Sequence, residues 1–381
     1  MRCFSSTCAN YLGVDALAGA MPAVSRLGGR RALLVTDHAT VRAGLSEKVG
    51  WALRGQSIDS VQYELADTMP SVETVERGLL LGKSRGCDLV VSLGGDAVHD
   101  CAKGISLCAT NGGRIDAYEG VDVSLRQGLA LVCINVSGGG GSHVSHFCLI
   151  ARPPRPVHLA VVDRNLAPAI SISDTALMIG MSPDMTAASG MNTLSHAVEA
   201  YLSTSATPLT DACALKAIEL LSDNLAHAVS RGRDPAAREN IAYAQVLAGM
   251  AQNNACLGYT NAVARQLAAL HGVPIGVGNG LVLPHLQRFN AVLCPDRLLD
   301  IARVMRVPVH GKSPDEAALM ACQAMAQLGR IIGLPLGLGE LGITHRDVPM
   351  LAGNALQDAC GITSPRYATQ KELEEVIRRA L

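Results

Sequence analysis

Two polar side chains, Asn192 and His196, interrupt the apolar, small-residue segment Met181–Ser203. Their spacing of four residues places them one above the other on the same face of a helix. Each needs a partner if it is buried, because an unpaired buried polar group costs about 1–3 kcal/mol. The pair is therefore either a satisfied part of a core or part of a site. In a site, the histidine could transfer a proton and the amide could hydrogen-bond a substrate oxygen.

The same pattern recurs in Asn253–Leu270, where Asn261 and Arg265 are also four residues apart. A buried arginine is rare unless it is paired or faces a ligand. Two helices that each present such a pair could converge on one pocket. The candidate catalytic residues are therefore His196, Arg265, Asn192 and Asn261. An arginine in this pocket favours an anionic substrate, such as a carboxylate or phosphonate, held in a bidentate way.

Two glycine-rich turns follow buried strands in the first half of the chain. Gly94, Gly95 and Asp96 come directly after the predicted strand Cys87–Leu93 and before a predicted helix, Ala97–Thr110. A strand, a glycine turn and a helix cradle a diphosphate with backbone N–H groups and the helix dipole. Asp96 is counted with Gly94 and Gly95 among the candidate cofactor-binding residues, although its negative charge is unfavourable beside a diphosphate unless the side chain faces away or is offset by the helix dipole and a cation.

The second turn, which starts at Ser137 and includes Gly138 and Gly139, follows the predicted strand Leu129–Val136. Successive glycines allow a ligand to approach the backbone closely. A third strand, Arg31–Asp37, ends in an acidic residue. In this position Asp37 either binds a ribose hydroxyl, which favours NAD over NADP, or caps the following helix.

Strands and helices alternate up to about residue 180, which predicts a doubly wound parallel sheet with its site at the strand carboxyl ends. The remaining sequence, 181–381, has helical periodicity punctuated by Pro274, Pro284, Pro335 and Pro349. We therefore expect an α/β domain over residues 1–180 and an all-helical domain over 181–381. The active-site cleft is expected between them.

Composition excludes several classes of partner. The 381 residues carry a net charge of −1 with 17% charged residues and no basic run, which argues against nucleic acid and anionic membranes. No apolar run reaches the length of a membrane span, and the N-terminus does not resemble a signal peptide. Twelve cysteines are scattered singly, as is typical of reduced thiols. These features predict a cytoplasmic enzyme with a small-molecule substrate.

Motifs along nearly the whole chain resemble those of the iron-activated, or group III, alcohol dehydrogenase family. The family's nucleotide loop, GGGSxxDxAK, corresponds here to GGDAVHDCAK. The other matching stretches are INVSGGGGSHVSHFCLI, TAASGMNTLSHAVEAYLS, AGMAQNNACLGYTNAVARQLAAL, GNGLVLPHLQRFN and LQDACGITSPR. The resemblance implies a dehydroquinate synthase-like fold, with a dinucleotide-binding α/β domain and a helical domain. It also implies hydride exchange with NAD(P), an iron or zinc ion, and a homodimer.

The resemblance fails at the metal site, which in the family consists of one aspartate and three histidines. The corresponding positions here are Asn192, His196, Asn261 and Ile275, so three of the four ligands are missing. Another pocket histidine of the family corresponds to Arg265. An amide oxygen is a poor ligand for a transition metal and an isoleucine is none. We therefore predict no catalytic metal, although His271 and His285 could in principle rebuild a site with His196.

Cofactor positions match the family better. Asp37 stands where NAD-preferring members have an aspartate, and Leu177 where a leucine packs on the cofactor. Ser137 replaces a threonine that contacts the nucleotide, and His158 replaces a lysine. The resemblance thus implies NAD(H) as the cofactor.

Three functions remain open. The leading hypothesis is a metal-independent NAD(H)-dependent oxidoreductase in which Arg265, Asn192 and Asn261 stabilise an oxyanion and His196 relays a proton. The second is a non-redox enzyme, such as a lyase, isomerase or condensing enzyme, recruited on the same fold. The third is a catalytically inactive homologue that binds a dinucleotide. A net change of NADH during turnover would distinguish the first from the other two.

Overall fold

The computed structural model describes residues 4–5, 8–66, 69–137, 139–152 and 155–381. It divides into two compact units, Ser6–Gly180 and Met181–Leu381, and the second also takes in residues 4–5. Within the described residues, no helix combines the length and the apolar character needed to cross a membrane.

A parallel sheet forms the centre of the α/β unit, as the alternating pattern predicts. The strands of this unit are β1 (Ala9–Gly13), β2 (Arg31–Asp37), β3 (Asp59–Leu65), β4 (Leu89–Gly94), β5 (Gly120–Val121), β6 (Leu131–Asn135), β7 (Phe147–Arg152), β8 (Arg155–Val162) and β9 (Ile170–Asp174). In the described residues the central sheet has six strands in the order β1-β9-β6-β4-β2-β3, and a smaller sheet has the order β5-β8-β7.

Helices cover both faces of the central sheet, and apolar side chains fill each interface. The helices of this unit are α1 (Ala16–Ser25), α2 (His38–Arg42), α3 (Leu45–Arg54), α4 (Val72–Ser84), α5 (Asp96–Asn111) and α6 (Thr175–Met178). Ile105 of α5 packs with Val90 on one face, whereas Leu17 of α1 packs with Ile172 on the other. The described part of this unit therefore has the doubly wound architecture expected from the sequence.

Two features of this unit were not predicted. Strand β1 forms an edge of the main sheet, parallel to β9, although its sequence ANYLG has no strong apolar run. Strands β7 and β8 pair antiparallel in the smaller sheet, whereas the alternating pattern predicted only a parallel sheet. Short strands at an edge need little apolar surface, so their sequence signal is weak.

The second unit is helical throughout the elements that the structure describes. Its helices are α7 (Pro183–Leu202), α8 (Pro208–Ser230), α9 (Pro235–Ala255), α10 (Tyr259–His271), α11 (Ile275–Asn290), α12 (Pro295–Val304), α13 (Pro314–Ile331), α14 (Val348–Ala355) and α15 (Gln370–Arg379). Helix α7 begins as the sequence suggests, because the Ser182 side chain accepts from Met185 N and Pro183 occupies the first turn.

Helix α11 corrects the sequence analysis, since Pro284 lies inside it and does not end it. Two glycines explain how this helix reaches α7. A Cβ at Gly276 would collide with the backbone of Ala188, and a Cβ at Gly280 would lie 3.2 Å from Met191 Cβ. Only residues without side chains allow so close an approach. The two helices therefore cross at the segment that carries Asn192.

Candidate active site and dinucleotide loop

The polar residues of α7 and α10 meet in one buried hydrogen-bonded cluster in the helical unit. His196 Nε2 lies 2.9 Å from Asn261 Oδ1. The side-chain nitrogen of Asn279, on α11, donates to Asn192 Oδ1 at 2.7 Å and to Asn261 Oδ1 at 3.0 Å. The structure thus brings together three of the four predicted catalytic residues, and adds Asn279.

Sequence analysis missed Asn279, although a signal was present. The stretch Gly276–Gly280, GVGNG, places an asparagine between glycines four residues apart. Such spacing permits close helix contact, so the asparagine must lie at a helix–helix crossing. The proline at position 284 concealed this helix, and with it the residue that joins the two predicted pairs.

Glu199, which was also missed, fixes the orientation of the cluster. Its buried carboxylate accepts backbone hydrogen bonds from Gly258 N at 2.8 Å and Thr260 N at 2.7 Å, at the N-terminus of α10. The same carboxylate accepts from Asn261 Nδ2 at 2.8 Å. Because a carboxylate at this position can only accept, Asn261 must turn its oxygen toward His196.

The proton position on His196 follows from that orientation. An amide oxygen is only an acceptor, so the ring nitrogen that faces Asn261 must donate. His196 therefore carries a proton on Nε2 whether the ring is neutral or charged. A carboxylate, an amide and an imidazole form one chain of hydrogen bonds that starts at a helix N-terminus.

The residues of the cluster differ in their exposure to solvent. Asn261 and Asn279 are almost fully buried, whereas Asn192 and His196 are 7% and 8% exposed. Because Asn192 Oδ1 accepts from Asn279, the nitrogen of Asn192 is its donor end. The arrangement can therefore offer an amide donor and an imidazole to a small molecule, with the other groups acting as their support.

Arg265 makes a different contact from those predicted. Its Nη1 lies 3.2 Å from Asp358 Oδ1 in a pair whose side chains are both about nine-tenths buried. Burial works to raise the pKa of Asp358, but the charge of Arg265 and the hydrogen bond from Cys360 N outweigh it, so the pKa is lowered. The guanidinium charge is thus largely compensated by a carboxylate that sequence analysis did not single out.

The residues at the family's metal positions do not suit a transition metal. They provide one imidazole, two amides and an alkyl side chain, and both amide oxygens accept from Asn279. Two other histidines were considered as replacement ligands. Of these, His271 lies 3.9 Å from Asp347, and burial lowers the pKa of His285. Among the described residues, no three His, Cys, Asp or Glu side chains are grouped so as to hold a metal ion.

In the α/β unit, the two glycine-rich turns pack against each other at the carboxyl ends of β4 and β6. Gly95 caps α5, and a Cβ added there would collide with Ser137 Oγ. A Cβ on Gly94 would lie 3.2 Å from Asp37 Oδ2. Such close backbone approach suits a nucleotide loop. Gly138 lies outside the residues that the structure describes.

Asp96 is the residue whose position the sequence left open. It is the first residue of α5, and its carboxylate reaches the second glycine turn. Gly140 N donates to Asp96 Oδ2 at 2.6 Å, and Ser142 N donates to Asp96 Oδ1 at 3.1 Å. A Cβ on Gly139 would lie 2.7 Å from Asp96 Oδ1. The carboxylate therefore faces into the glycine loop and not away from it.

The other two cofactor residues have structural contacts of their own. Asp37 caps α2 by accepting from Thr40 N at 2.8 Å, which is the alternative to ribose binding that the sequence left open. Leu177 is buried in the apolar cluster on one face of the sheet, together with Leu17 and Ile172.

A buried ion pair, Lys103 with Asp100, is hydrogen-bonded to Ser142 of the glycine loop. Lys103 Nζ is fully buried, lies 3.6 Å from Asp100 Oδ1, and donates to Ser142 Oγ at 2.8 Å. Ser142 Oγ in turn lies 2.5 Å from Asp100 Oδ1. Burial raises the pKa of Asp100 to about 6, although Lys103 and Ser142 favour its charged form. The DxxK spacing in GGDAVHDCAK was the signal for this pair.

Buried histidines surround this ion pair. His143 has neither ring nitrogen hydrogen-bonded, and its ring centroid lies 5.9 Å from that of His99. Burial, together with the charge of Lys103, lowers the pKa of His143 to about 4 despite the opposing effect of Asp96. Burial likewise lowers the pKa of His146 to about 4. Both rings are therefore neutral at physiological pH.

Comparison with known proteins gives the same family over both units. The family model described as "Iron-containing alcohol dehydrogenase" matches residues 9–175, and "Fe-containing alcohol dehydrogenase family, C-terminal" matches residues 186–381. Alcohol dehydrogenase 4 of Schizosaccharomyces pombe is 41% identical over 374 residues, which cover 98% of this chain and 87% of the relative. The NAD-dependent methanol dehydrogenase of Bacillus methanolicus is 35% identical, with 98% of each chain covered.

Solved structures agree with the sequence relatives. A crystal structure of a 1,3-propanediol oxidoreductase superposes with a TM-score of 0.98 at 37% identity, covering all of both chains. The motifs, the two-unit architecture and the relatives lead to one conclusion: this chain belongs to the iron-containing alcohol dehydrogenase family.

Proposed function

We propose that the protein is a NAD(H)-dependent oxidoreductase that interconverts an alcohol and a carbonyl compound without a catalytic metal. Family membership supports the reaction class, and a relative of similar length is an NAD-dependent methanol dehydrogenase. The metal-free mechanism rests on the side chains of the helical unit.

One observation carries the metal-free proposal. The oxygens of Asn192 and Asn261, at two of the family's ligand positions, both accept hydrogen bonds from the amide nitrogen of Asn279. A neutral N–H donor thus stands where these oxygens converge. A metal ion could bind these oxygens only if Asn279 rotated away. The site would then still offer a single imidazole ligand, which is too few for iron or zinc.

Hydrogen bonds would then stabilise the negative charge on the substrate oxygen, as a Lewis acid does in a metal-dependent enzyme. A carbonyl oxygen gains negative charge as hydride arrives, and donors fixed in advance stabilise that charge in a water-poor site. The amide nitrogen of Asn192 is such a donor, because Asn279 holds the other end of this amide. His196, protonated on both ring nitrogens, would supply the proton that the resulting alkoxide needs from Nδ1, because its Nε2 proton is donated to Asn261. Glu199, acting through Asn261, keeps the ring in place.

The backbone of the glycine turns in the α/β unit is suited to binding a dinucleotide. An added Cβ at Gly94 would collide with Val98, and one at Gly95 with Ser137, so these turns require glycine. Gly95 precedes a helix whose first N–H groups have no side-chain cap. Bound NADH would supply the hydride. The residues that we propose to hold it are Asp37, Gly94, Gly95, Ser137, Gly139 and Leu177.

A small anionic substrate is the finer part of the proposal. Arg265 is the cation that would hold it, and the buried Asp358 already pairs with Arg265. An anion must therefore share the guanidinium, which planar, bidentate recognition permits. Matched probes test this: succinic semialdehyde and butanal have the same chain length and differ in the terminal carboxylate. We expect a higher kcat/KM for the anionic aldehyde.

The direct test is NADH oxidation, followed optically, against a panel of small anionic and neutral aldehydes with enzyme purified in chelator. We expect turnover of at least one compound, and His196→Gln should lower kcat by about 10²–10⁴-fold, the typical contribution of a proton-transfer group. His227→Gln, at a half-exposed histidine that pairs with Asp234 on the surface, is the matched control and should behave like the wild type.

Three results would contradict the proposal. Turnover that appears only when iron or zinc is added would contradict the metal-free mechanism. Chemical conversion of a substrate with no net change in NADH would favour the non-redox enzyme. Bound nucleotide without turnover of any compound would favour the inactive homologue.

A further inference from the structure

The glycine loop of the α/β unit already binds a negatively charged group, which is the side chain of Asp96. Gly140 N and Ser142 N each donate to one oxygen of the Asp96 carboxylate, at 2.6 Å and 3.1 Å. Two N–H groups of one loop thus bind two oxygens of one negative group. Backbone N–H groups bind phosphate oxygens in the same way.

The loop encloses this carboxylate tightly. A Cβ at Gly139 would lie 2.7 Å from Asp96 Oδ1, so only glycine permits the contact. Gly141 adopts φ +96°, a conformation that also favours glycine. Ser142 is held from the other side by Lys103 and Asp100. The N-terminus of α5, which no side chain caps at Gly95, adds its dipole to the stabilisation of the negative charge.

A diphosphate bound to this loop would compete with the carboxylate. It would use backbone N–H groups such as those of Gly140 and Ser142, which already donate to Asp96, and two negative groups in close contact repel each other in a partly buried site. The positions around Asp96 otherwise keep the glycines of a nucleotide loop. A single side chain therefore changes an open anion site into an occupied one.

We propose that Asp96 acts as an internal substitute for a phosphate, so that a dinucleotide binds only when its diphosphate displaces this carboxylate from the glycine loop. The inference rests on the proposed function, which supplies the dinucleotide. It makes Asp96 the residue that sets the affinity of the cofactor site, and it predicts weak cofactor binding by the unmodified chain.

Calorimetric titration of the full-length protein with ADP, adenosine and NADH tests the inference. Asp96→Gly removes the carboxylate and Asp96→Asn removes only its charge. We expect Asp96→Gly to bind ADP and NADH at least about tenfold tighter than the wild type, and Asp96→Asn to gain less. Adenosine lacks the diphosphate, so its affinity should stay unchanged.

Glu73→Gln is the matched control. Glu73 also lies in the first turn of a helix of this unit, α4, and is exposed, so the variant changes the net charge by the same amount away from the glycine loops. It should bind all three ligands as the wild type does. Equal tightening in this variant would assign the effect to overall charge and overturn the inference.

Thermal unfolding provides a second readout. Removing the carboxylate leaves Gly140 N and Ser142 N without this acceptor, so Asp96→Gly should unfold at a lower temperature than the wild type in the absence of ligand. Added ADP should raise that temperature more in the variant than in the wild type, because it refills the anion site.

The outcomes separate the inference from the proposed function. If wild type and both Asp96 variants bind NADH with equal affinity, the inference is wrong and the proposed cofactor stands. If the Asp96 variants bind more weakly, the carboxylate assists binding and the inference is again wrong. If neither the wild type nor any variant binds NADH or ADP, the proposed cofactor is wrong and the inference fails with it.

Discussion

The two units each contain a buried polar cluster, and the clusters differ in charge. In the helical unit, Asn192, Asn261 and Asn279 are neutral amides, and the carboxylate of Glu199 lies at the edge of their cluster. In the α/β unit, Asp100 and Lys103 form a buried ion pair directly beneath the glycine loop that Asp96 fills. Neutral groups replace expected ligands in one unit, and added charge enters a binding loop in the other.

The two proposals thus describe two ways in which a site could be closed to an ion. Amides satisfy one another without net charge, so their cluster needs no cation. Backbone N–H groups need an anion or another acceptor, and a side chain of the chain itself can provide it. On these proposals, the first arrangement disfavours a metal and the second weakens phosphate binding.

Removing the lysine beneath the loop should give the largest loss of stability. Lys103→Met leaves Asp100 buried without its cation, and breaking a buried ion pair costs about 3–5 kcal/mol. Urea unfolding followed by circular dichroism measures this. The loss should be smaller at pH 5 than at pH 8, because burial already raises the pKa of Asp100 to about 6 and a protonated Asp100 needs no cation.

Lys83→Met is the control for this prediction, since Lys83 is exposed on α4 and should change the free energy of unfolding very little. A loss in Lys103→Met no greater than that in Lys83→Met would mean that the charged cluster does not stabilise the α/β unit. The contrast between the two clusters would then have no energetic basis.

The amide cluster should be less costly to break. Asn279→Leu removes the donor shared by Asn192 and Asn261 and should destabilise the protein by about 1–3 kcal/mol, the cost of leaving buried acceptors unsatisfied. The measurement is again urea unfolding. Asn240→Leu, which removes a half-buried amide bonded to Asn224 on the neighbouring helix, should cost less than Asn279→Leu.

A stabilising effect of Asn279→Leu would contradict this account, because it would show that the three amides are not satisfied by one another. The same variant should also lower turnover, since Asn279 orients the amide of Asn192. Unchanged turnover would remove Asn192 from the proposed mechanism.

Acid should destabilise the α/β unit through its buried histidines. The pKa of His143 is about 4 in the folded state, below the usual value of 6.5, so the unfolded chain binds the extra proton between these pH values. Stability from this group is therefore lost as the pH falls from 6.5 toward 4. His146 acts in the same direction, whereas Asp100, with its raised pKa, opposes it.

His143→Leu tests the sign of this effect. It should reduce the loss of stability between pH 7 and pH 5 by roughly 1–2 kcal/mol, with thermal unfolding at both pH values as the measurement. A steeper pH dependence in the variant would mean that His143 is protonated in the folded protein. His310→Leu, outside this cluster, should leave the pH dependence as it is in the wild type.

Sequence reasoning predicted the elements that have continuous apolar runs, such as β2, β4 and β6, and the glycine turns that follow β4 and β6. It failed where tertiary contact decides the structure. Strand β1 is short and lies at a sheet edge, and α11 contains a proline that the helix accommodates. Asn261 and His196 were placed together from their spacing, but Asn279, Glu199 and Asp358 come from distant segments and have no local pattern.

Asp96 shows the limit most clearly. The sequence placed its charge in the nucleotide loop, but only the structure gives the direction of the carboxylate, toward Gly140 and Ser142. A side chain's direction depends on the packing of two loops that lie more than forty residues apart in the chain. Spacing along one helix cannot encode it.

Metal analysis of the enzyme, coupled to NADH turnover, tests the central claim most directly. Iron and zinc are measured by mass spectrometry in protein purified without chelator, with Asn192→Asp/Asn261→His/Ile275→His as a variant that restores the family's ligand set. We predict substoichiometric metal in the wild type, turnover that resists chelation, and stoichiometric metal in the variant. One iron or zinc ion per wild-type chain, whose removal abolishes turnover, would contradict the metal-free mechanism.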